Sequence, residues 1–418
     1  MGIRYSSNFR TAHESIIGGP TMAREENERA DGIEGPRGAR KAEFERPSLF
    51  NRDSVDNVRV IVDEGKVVSH QEFYVREVSI LGDRVKLGSI GGVDTLVEYR
   101  NRGFATRLFE DCIDRIDLSG GDLLQVSGDR GLYRRGGCKR VGEVYYFRIK
   151  KEDEPIEGKI EIRPYEEGSI GELIEAYQKE PVRFSRSFAD FSMIAERPVP
   201  YTQGVGEILT LHEEGKPAGY VVISTGDPWT IPLLSIGEEY PTFRQTYWED
   251  KTAKVVPMSV GRVIEYAGVR TAILASIGPL FEKYGLGELN FFVPSHDSEL
   301  VHLLKEKGAE FTRNDSVSGT FKIVNFPRFM QKLRPYMEER LSREEIELLQ
   351  FEQINGSPRG EDRFVIRLGK EELVTSEIEY LVFGSYEKKR LEIEGERLSS
   401  IIERLFPVPL VWHGLNVI

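Results

Sequence analysis

Cysteine is scarce in this chain of 418 residues, which has only Cys112 and Cys138. Two cysteines allow at most one bridge, so the fold cannot depend on a disulfide framework. This scarcity is typical of a reducing compartment, and we expect a cytoplasmic protein. Cys112 lies on the apolar face of a predicted helix, whereas Cys138 lies in a glycine-rich bend where a structural thiol and a reactive thiol both remain open.

Long apolar runs and an excess of basic residues are also missing. No run approaches the roughly 20 apolar residues that span a bilayer, and the N-terminus lacks the apolar core of a signal peptide. The formal net charge is −12 and the sequence pI is about 5.3, whereas nucleic-acid binders need a basic surface. We therefore expect neither a membrane nor a nucleic acid as partner. An acidic surface suits cationic substrates, although it also simply keeps a protein soluble.

Several catalytic signatures are absent. The six histidines are dispersed, and no pair stands at ligand spacing beside a carboxylate or thiol, so we expect no metal. The G-x-S-x-G hydrolase elbow and the G-x-x-x-x-G-K-[ST] phosphate loop do not occur. The glycine-rich residues 88–92 lie inside a predicted strand, which fits a bulged strand better than a dinucleotide-binding turn.

The chain does carry a strand, a turn and a helix that suit anion binding. Residues 85–96 are apolar, β-branched and glycine-bearing, which predicts a buried strand. The turn that follows reads Arg100-Asn101-Arg102-Gly103-Phe104-Ala105. A helix start presents free amides to an anion such as a pyrophosphate, although a simple turn with solvated arginines explains the same residues. Apolar side chains then recur at helical spacing: Phe104, Leu108, Phe109, Cys112, Ile113 and Ile116.

Composition divides the chain into three segments, with predicted boundaries at 1–150, 157–320 and 321–418. The elements of the second segment repeat the order of the first, which indicates an internal duplication. Its turn reads Glu265-Tyr266-Ala267-Gly268-Val269-Arg270, with a single late arginine. We therefore expect this copy to bind no cofactor and either to be structural or to help shape the acceptor pocket. The last segment is predicted to include a strand at Ile378–Val382. It ends in an apolar stretch that we expect to dock onto the body of the protein.

The turn at Arg100–Ala105 resembles the acetyl-CoA pyrophosphate loop, R/Q-x-x-G-x-G/A, of the GCN5-related N-acetyltransferases (GNAT). The preceding strand is similar to the strand that splays from its neighbour in that superfamily and admits the pantetheine arm. The three-part layout resembles the enhanced intracellular survival protein family. This resemblance implies an α/β (α+β) fold, in which two tandem GNAT-like mixed-sheet domains precede a small sterol-carrier-protein-like α/β domain.

The resemblance also implies roles for individual residues. The pantetheine is expected along Val93, Asp94 and Thr95, and further cofactor contacts are expected at Gly128 and Asp129. Two catalytic groups are implied: the Tyr133 hydroxyl as the general acid and the terminal carboxylate of Ile418 as the base. The pyrophosphate is expected on Asn101, Arg102, Gly103, Phe104, Ala105 and Thr106.

Alternatives to these roles stay open. A tyrosine on a short helix also packs in cores, a docked terminus can simply complete a core, and Asp94 is an alternative base. The family often has an aromatic residue after the glycine where this chain reads Gly136-Gly137-Cys138, and its members often end on an aromatic residue rather than isoleucine.

Together these features predict an acetyl-CoA-dependent N-acetyltransferase that acts on a primary amine of a small molecule or peptide. Acetyl-CoA is the co-substrate, and the resemblance implies a homo-oligomer. The acceptor stays open among aminoglycosides, polyamines and lysine side chains. The alternatives are a carrier whose last segment binds an apolar ligand, and a CoA-binding regulator without catalysis.

Overall fold

The computed structural model describes residues 57–152, 159–196, 205–225, 260–314, 316–317, 319–354, 362–384, 393 and 395–416. The predicted order of the first 50 residues and the terminal Ile418 lie outside these residues. No helix within the described ranges is long and apolar enough to cross a membrane.

The described residues form sixteen strands and twelve α-helices. The strands are β1 (Val58–Asp63), β2 (Lys66–Ile80), β3 (Asp83–Thr95), β4 (Leu123–Val126), β5 (Val144–Lys150), β6 (Ile160–Pro164), β7 (Val182–Phe184), β8 (Val205–Glu213), β9 (Lys216–Thr225), β10 (Val260–Gly268), β11 (Glu288–Pro294), β12 (Glu310–Asn314), β13 (Thr320–Ile323), β14 (Leu349–Ile354), β15 (Arg363–Leu368) and β16 (Glu371–Thr375). The helices are α1 (Phe104–Leu118), α2 (Gly131–Arg135), α3 (Ile170–Gln178), α4 (Phe188–Glu196), α5 (Arg270–Ala275), α6 (Ile277–Tyr284), α7 (Ser298–Glu306), α8 (Phe326–Lys332), α9 (Arg334–Glu338), α10 (Arg343–Leu348), α11 (Ile378–Phe383) and α12 (Glu396–Leu405).

The first sheet has the strand order β1-β2-β3-β4-β13, with β7 paired to β2. Tight turns with left-handed backbone join its first strands, and both residues of the β2–β3 turn, Leu81 and Gly82, have positive φ. The pairing is antiparallel except between β3 and β4, which run parallel. Helix α1 is the crossover between those two strands and packs its apolar stripe on the sheet. Gly88 permits that close packing, because a Cβ there would lie 2.5 Å from Cγ2 of Ile116.

The second sheet repeats this plan. Its order is β12-β5-β11-β10-β9-β8-β6, and β10 and β11 form its parallel pair. Helices α5, α6 and α7 pack on one face over a core of aliphatic and phenylalanine side chains. Helices α3 and α4 pack on the other face. The predicted helix across residues 269–284 is divided into α5 and α6 at Ser276, which is buried and bonds through its hydroxyl to the carbonyl of Ile273.

The two sheets exchange strands across the predicted segment boundaries. Strand β5 lies within the first predicted segment, yet it pairs with β11 and β12 in the second sheet. Conversely, β7 and β13 come later in the chain and pair with β2 and β4 in the first sheet. The sequence predicts a strand over residues 143–149 that completes the first layer, and this prediction is wrong because the strand belongs to the second sheet. Exchange of this kind covers edges that would otherwise expose unpaired backbone groups.

The remaining residues form the antiparallel sheet β14-β15-β16 with helices α8 to α12. Their core is continuous with the face of the first sheet opposite α1, where Val78, Ile80, Val85 and Leu87 contribute to it. The strand predicted at Ile378–Val382 is wrong, because these residues form α11. The buried side chains Ile378, Val382 and Phe383 follow helical rather than alternating spacing.

A buried carboxylate joins the last part of the chain to the first sheet. The side chain of Asp122 is fully buried, and its Oδ1 lies 2.9 Å from Nε of Arg328. Its Oδ2 lies 2.6 Å from Nζ of Lys332 and accepts a hydrogen bond of 2.7 Å from the backbone N–H of Lys86. Both cations are carried by α8, so this contact fixes α8 beside β3 and β4.

We expect Asp122→Asn to lower the free energy of unfolding by about 2–3 kcal/mol, because two partly buried cations lose their counter-charge. Urea denaturation at neutral pH measures the change. The control is Asp117→Asn, which also loses a contact to Arg328 but at a half-exposed position, where a loss below about 1 kcal/mol is expected. Equal effects of the two substitutions would contradict the assignment.

Candidate functional site

Strands β3 and β4 separate and leave a fork in the first sheet. Their parallel pairing covers Leu87–Leu123, Gly88–Leu124 and Ser89–Gln125. Beyond the last pair, β3 continues to Thr95, whereas β4 ends at Val126. The backbone of β3 past Ser89 therefore has no β4 partner. An extended ligand that enters this fork can bond to the strand in the manner of an added strand.

A bulge shapes the β3 side of the fork. Between the pairs His70–Asp94 and Glu72–Gly91, β3 has two residues, Gly92 and Val93, where β2 has only Gln71. The predicted strand residues Val93, Asp94 and Thr95 are half-buried along this stretch.

A side chain of β2 contacts the Asp94 carbonyl and the Thr95 hydroxyl. The hydroxyl of Ser69 donates to the Asp94 carbonyl at 3.1 Å and lies 2.8 Å from the Thr95 hydroxyl. His70 faces Asp94 across the pair, and burial lowers the pKa of His70 although Asp94 opposes the shift. The edge of the fork is thus fixed by its neighbouring strand.

The turn before α1 has the geometry of an anion site. Asn101 and Gly103 have φ of 61° and 76°, and no side chain caps the start of the helix. A Cβ on Gly103 would meet no atom of the described residues within 4 Å, so these residues leave the approach to the first amides open. Phe104 is buried, whereas Ala105 and Thr106 are half-buried. The uncapped amides and the positive end of the helix dipole favour a phosphate here.

Two arginines stand at the rim of this turn. Arg102 donates to the carbonyl of Glu98 at 3.1 Å, and its guanidinium lies 4.8 Å from the ring centre of Tyr99. Arg100 donates to the Thr95 carbonyl at 3.1 Å. Both side chains remain exposed, so their charge adds to the field of the helix start.

The structure brings Tyr133 to the opposite wall of the fork. It is 7% exposed on α2 and packs against Phe109 at a centroid distance of 5.6 Å. A Cβ on Gly128 would lie 3.1 Å from Cε2 of Tyr133, so the phenol end of the ring lies beside the second residue after β4. Asp129 binds Arg134 at 2.7 Å and so holds α2 in place.

The two thiols are poor nucleophiles. Burial raises the pKa of Cys138 to about 12 and the pKa of Cys112 still further, so both stay protonated at neutral pH. Of the two roles left open for Cys138, the structure favours the structural one.

Sequence reasoning missed three residues of β2 beside the fork, which are Gln71, Glu72 and Tyr74. Gln71 is fully buried and donates from Nε2 to the carbonyl of Ala105 at 2.7 Å, which ties the bulge to the first turn of α1. Glu72 is 7% exposed and accepts a hydrogen bond of 2.9 Å from the Tyr74 hydroxyl. They are spread through a long strand without a motif, and only the pairing of β2 with β3 shows their relation to the turn.

The second sheet has a corresponding fork, which the chain itself fills. Parallel pairing of β10 and β11 ends at Val263–Phe291, and β10 continues to Gly268. The indole N–H of Trp412 donates to the carbonyl of Ile264 at 2.9 Å. The same ring stacks on Phe292 at 5.1 Å. Trp412 therefore occupies the position that is open in the first sheet.

The turn before α5 corresponds to the turn before α1, and its polar groups bond to side chains of the same protein. The carboxylate of Glu180 accepts from the N–H of Gly268 at 3.0 Å and from Arg270 at 2.8 Å. Arg270 also lies 2.9 Å from Asp297. Burial lowers the pKa of Arg270, but the two carboxylates raise it more, so it stays above its usual value. The cavity that remains has a volume of about 50 Å³, which is too small for a nucleotide.

The C-terminal stretch reaches this region and is anchored by a buried ion pair. The guanidinium of Arg186 meets both carboxylate oxygens of Glu265 at 2.8 and 2.7 Å. Burial raises the pKa of Glu265, but Arg186 lowers it more, so the carboxylate stays ionised. Glu265 accepts from the N–H of Leu415 at 2.8 Å, and Arg186 donates to Asn416 at 2.8 Å. The expected docking of the terminus is observed up to residue 416.

The described residues contain no group of three histidine, cysteine, aspartate or glutamate side chains placed to hold a metal ion.

Comparisons agree with this geometry. Residues 30–140 match the family model of the acetyltransferase (GNAT) domain. A GCN5-related N-acetyltransferase from Anabaena variabilis is 16% identical, with a TM-score of 0.50 over 77% of this chain and 75% of that one. A conserved protein of unknown function from Enterococcus faecalis, described as a probable N-acyltransferase, is 13% identical, with a TM-score of 0.58 over 89% and 94%. Eis1 from Mycobacterium abscessus is 14% identical, with a TM-score of 0.49 over 81% of each chain. No curated protein sequence matches the chain.

The predicted mixed α/β fold is confirmed, and the chain contains a GNAT domain within residues 30–140. The chain is an acyltransferase. GNAT domains use acetyl-CoA, and the open fork and uncapped helix start lie in the segment that the family model matches.

Proposed function

We propose that the protein transfers the acetyl group of acetyl-CoA directly to a primary amine in a ternary complex. The observation that carries this proposal is the contrast between the two forks. Among the residues that the structure describes, none fills the first fork or caps its helix start, whereas Trp412 and Glu180 fill the second pair. One acetyl-CoA per chain follows from this contrast.

In this proposal the pantetheine lies along Val93, Asp94 and Thr95, and the pyrophosphate lies on the turn from Asn101 to Thr106. Backbone N–H groups of β3 past its last β4 pair stabilise the oxyanion of the tetrahedral intermediate. Gly128 and Asp129 border the end of β4 and approach the cofactor. The buried position of Tyr133 beside Gly128 suits a donor that protonates the departing CoA thiolate.

The terminal carboxylate of Ile418 is the proposed base. Two residues separate it from the anchored Asn416 and span at most about 7 Å. Arg186, which holds Asn416, follows β7, and β7 pairs with β2 beside Val78. The anchor thus supports a terminus near β2. The alternatives are Asp94 as the base, and a terminus that only completes the core.

The proposal also covers the domain layout, the compartment and the oligomeric state of the protein. We propose the layout of the enhanced intracellular survival family, with the segments at 1–150, 157–320 and 321–418 and a sterol-carrier-like last domain. A cytoplasmic homo-oligomer is proposed with it. The three-stranded sheet β14-β15-β16 supports a last domain with its own sheet, although its core is shared with the first sheet.

The function is tested by thiol release from acetyl-CoA in the presence of spermidine, tobramycin and an N-terminally blocked lysine peptide. We expect CoA release that depends on at least one amine, with the acetylated amine detected by mass spectrometry. Calorimetric binding of one acetyl-CoA per chain without turnover on any amine would instead support the CoA-binding regulator. Lipid binding by the full chain without either activity would support the carrier.

Replacing Tyr133 by Phe should lower kcat about 100-fold or more, because the thiolate leaves without a placed proton donor. The dissociation constant for acetyl-CoA should stay within about twofold, since the ring and its packing on Phe109 are kept. Steady-state kinetics and calorimetry measure the two quantities. Tyr145→Phe, at a half-buried position in the second sheet, is the matched control. Undiminished turnover of Tyr133→Phe would remove this residue from the mechanism.

Adding Gly-Ser after Ile418 displaces the terminal carboxylate by about 7 Å, and we expect kcat to fall at least tenfold. Ile418→Ala keeps the carboxylate in place and should retain most activity. A fully active extended chain would show that the base lies elsewhere.

A further inference from the structure

The C-terminal stretch runs along β10 where that strand has left β11. The indole N–H of Trp412 donates to the carbonyl of Ile264 at 2.9 Å, and the amide N–H of Leu415 donates to the Glu265 carboxylate at 2.8 Å. Gly414 has a φ of 49°, and a Cβ there would clash with Oε2 of Glu265. The backbone of this stretch is therefore shaped to pass closely over the Glu265 side chain.

A buried ion pair holds the last described residue. The side chains of Arg186 and Glu265 are only 1% and 6% exposed. The Glu265 carboxylate also accepts from the hydroxyl of Tyr220 at 2.8 Å, and the guanidinium of Arg186 lies 4.1 Å from the ring centre of Tyr177. From this fixed position Arg186 donates through Nε and Nη2 to Oδ1 of Asn416, at 2.8 and 2.6 Å. We call Arg186, Glu265 and Asn416 the tail clamp.

Stability alone does not account for the tail clamp. Replacement of a buried ion pair by apolar side chains of similar volume is often neutral or stabilising, so an apolar contact would dock the chain end equally well. The guanidinium adds direction, because its planar donors bond to a carboxylate on one side and to an amide oxygen on the other. The tail clamp thus fixes the place of Asn416 to within hydrogen-bond geometry.

The tail clamp lies beside the first sheet. Strand β7 pairs with β2 in antiparallel register, and the N–H of Ser185, which follows β7, donates to the Glu77 carbonyl at 2.8 Å. The next residues along the two chains, Arg186 and Arg76, therefore come opposite each other. Burial lowers the pKa of Arg76, and the charge of Arg186 lowers it further, whereas Tyr74 raises it. The guanidinium of the tail clamp thus acts on the side chains of β2.

This face of β2 leads to the first fork. Side chains alternate along a strand, so Arg76 and Tyr74 share one face. Tyr74 pairs with Ser89, and Ser89 pairs with Gln125 in the last pair before β3 and β4 separate. Two residues follow Asn416 in the sequence, and they span at most about 7 Å. The tail clamp therefore holds Asn416 beside the strand whose neighbouring pairs border the fork.

Resting on the proposed acetyl transfer, in which the Ile418 carboxylate is the base, we infer that the tail clamp positions that carboxylate for proton transfer. Arg186 and Glu265 are positioning residues, because they limit the places that the chain end can reach without contacting either substrate. A base has to come within hydrogen-bond distance of the ammonium group, and a displacement of about 1 Å can lower a rate about 100-fold. The second sheet, whose own fork is filled, thereby serves the reaction of the first.

The test uses Asn416→Ala, because substitution of Arg186 or Glu265 would leave a buried charge unpaired and destabilise the whole chain. We expect Asn416→Ala to lower kcat about tenfold, with KM for acetyl-CoA and for the amine within about threefold. Asn416→Asp keeps an oxygen acceptor for Arg186 and should restore most of the rate. Asn325→Ala, which removes the side-chain cap of α8, is the matched control and should leave kcat unchanged.

The same substitution in the chain extended by Gly-Ser after Ile418 separates positioning from stability. With the carboxylate already displaced, Asn416→Ala should lower kcat by less than about twofold further. A tenfold fall in both backgrounds, or a kcat of Asn416→Ala equal to that of wild type, would overturn the inference. A fully active extended chain would overturn it too, while leaving acetyl transfer itself intact.

Hydrogen exchange gives a readout that needs no turnover. The Leu415 amide, which bonds to Glu265, should be protected in wild type and in Asn325→Ala and should exchange at least tenfold faster in Asn416→Ala. Mass spectrometry of the C-terminal peptide, after exchange of the full chain, measures the rate. Unchanged exchange would show that Arg186 does not hold the chain end, and the inference would fall. If wild type releases no thiol with any amine, the proposed function fails, whereas faster exchange in Asn416→Ala still supports the tail clamp.

Discussion

The site depends on the point where two parallel strands diverge, because the backbone hydrogen bonds between the strands end there. In the first sheet the pairing of β3 and β4 stops at Ser89–Gln125, and the next residues of β3 keep their backbone groups without a β4 partner. Such groups are costly to bury unless something bonds to them. The same stop occurs in the second sheet after Val263–Phe291. The two gaps differ in their occupants: side chains of the protein fill the second gap, and we propose a ligand for the first.

The second fork shows how the chain meets this requirement with its own atoms. Trp412 bonds to the backbone of β10, and Glu180 bonds to the amide and arginine of the second turn. Beyond Trp412, the buried pair of Arg186 and Glu265 holds the last described residues. The second sheet therefore supports the C-terminal stretch up to Asn416.

The exchange of strands makes the three parts of the chain interdependent. Strand β5 belongs to the second sheet, whereas β13, which opens the last predicted segment, pairs with β4 beside the fork. Asp122 adds an ion-pair contact between α8 and the same region. A segment cut at residue 321 would remove a strand from the first sheet, so function has to be tested on the full chain.

The sequence alone was sufficient for local features, because these depend on short-range patterns. Strand β3, helix α1 and the turn around Gly103 follow from apolar spacing and glycine positions. Segments with mixed signals were predicted less well, as at Ile378–Val382, where apolar residues in a row suit either a strand or a buried helix. Only the tertiary structure decided which sheet β5, β7 and β13 join, because pairing across long sequence separations leaves no local pattern. It also decided that Glu72 borders the fork and that Trp412 and Glu180 close its counterpart. These contacts join residues that are far apart in the chain. Spacing in the sequence therefore could not predict them.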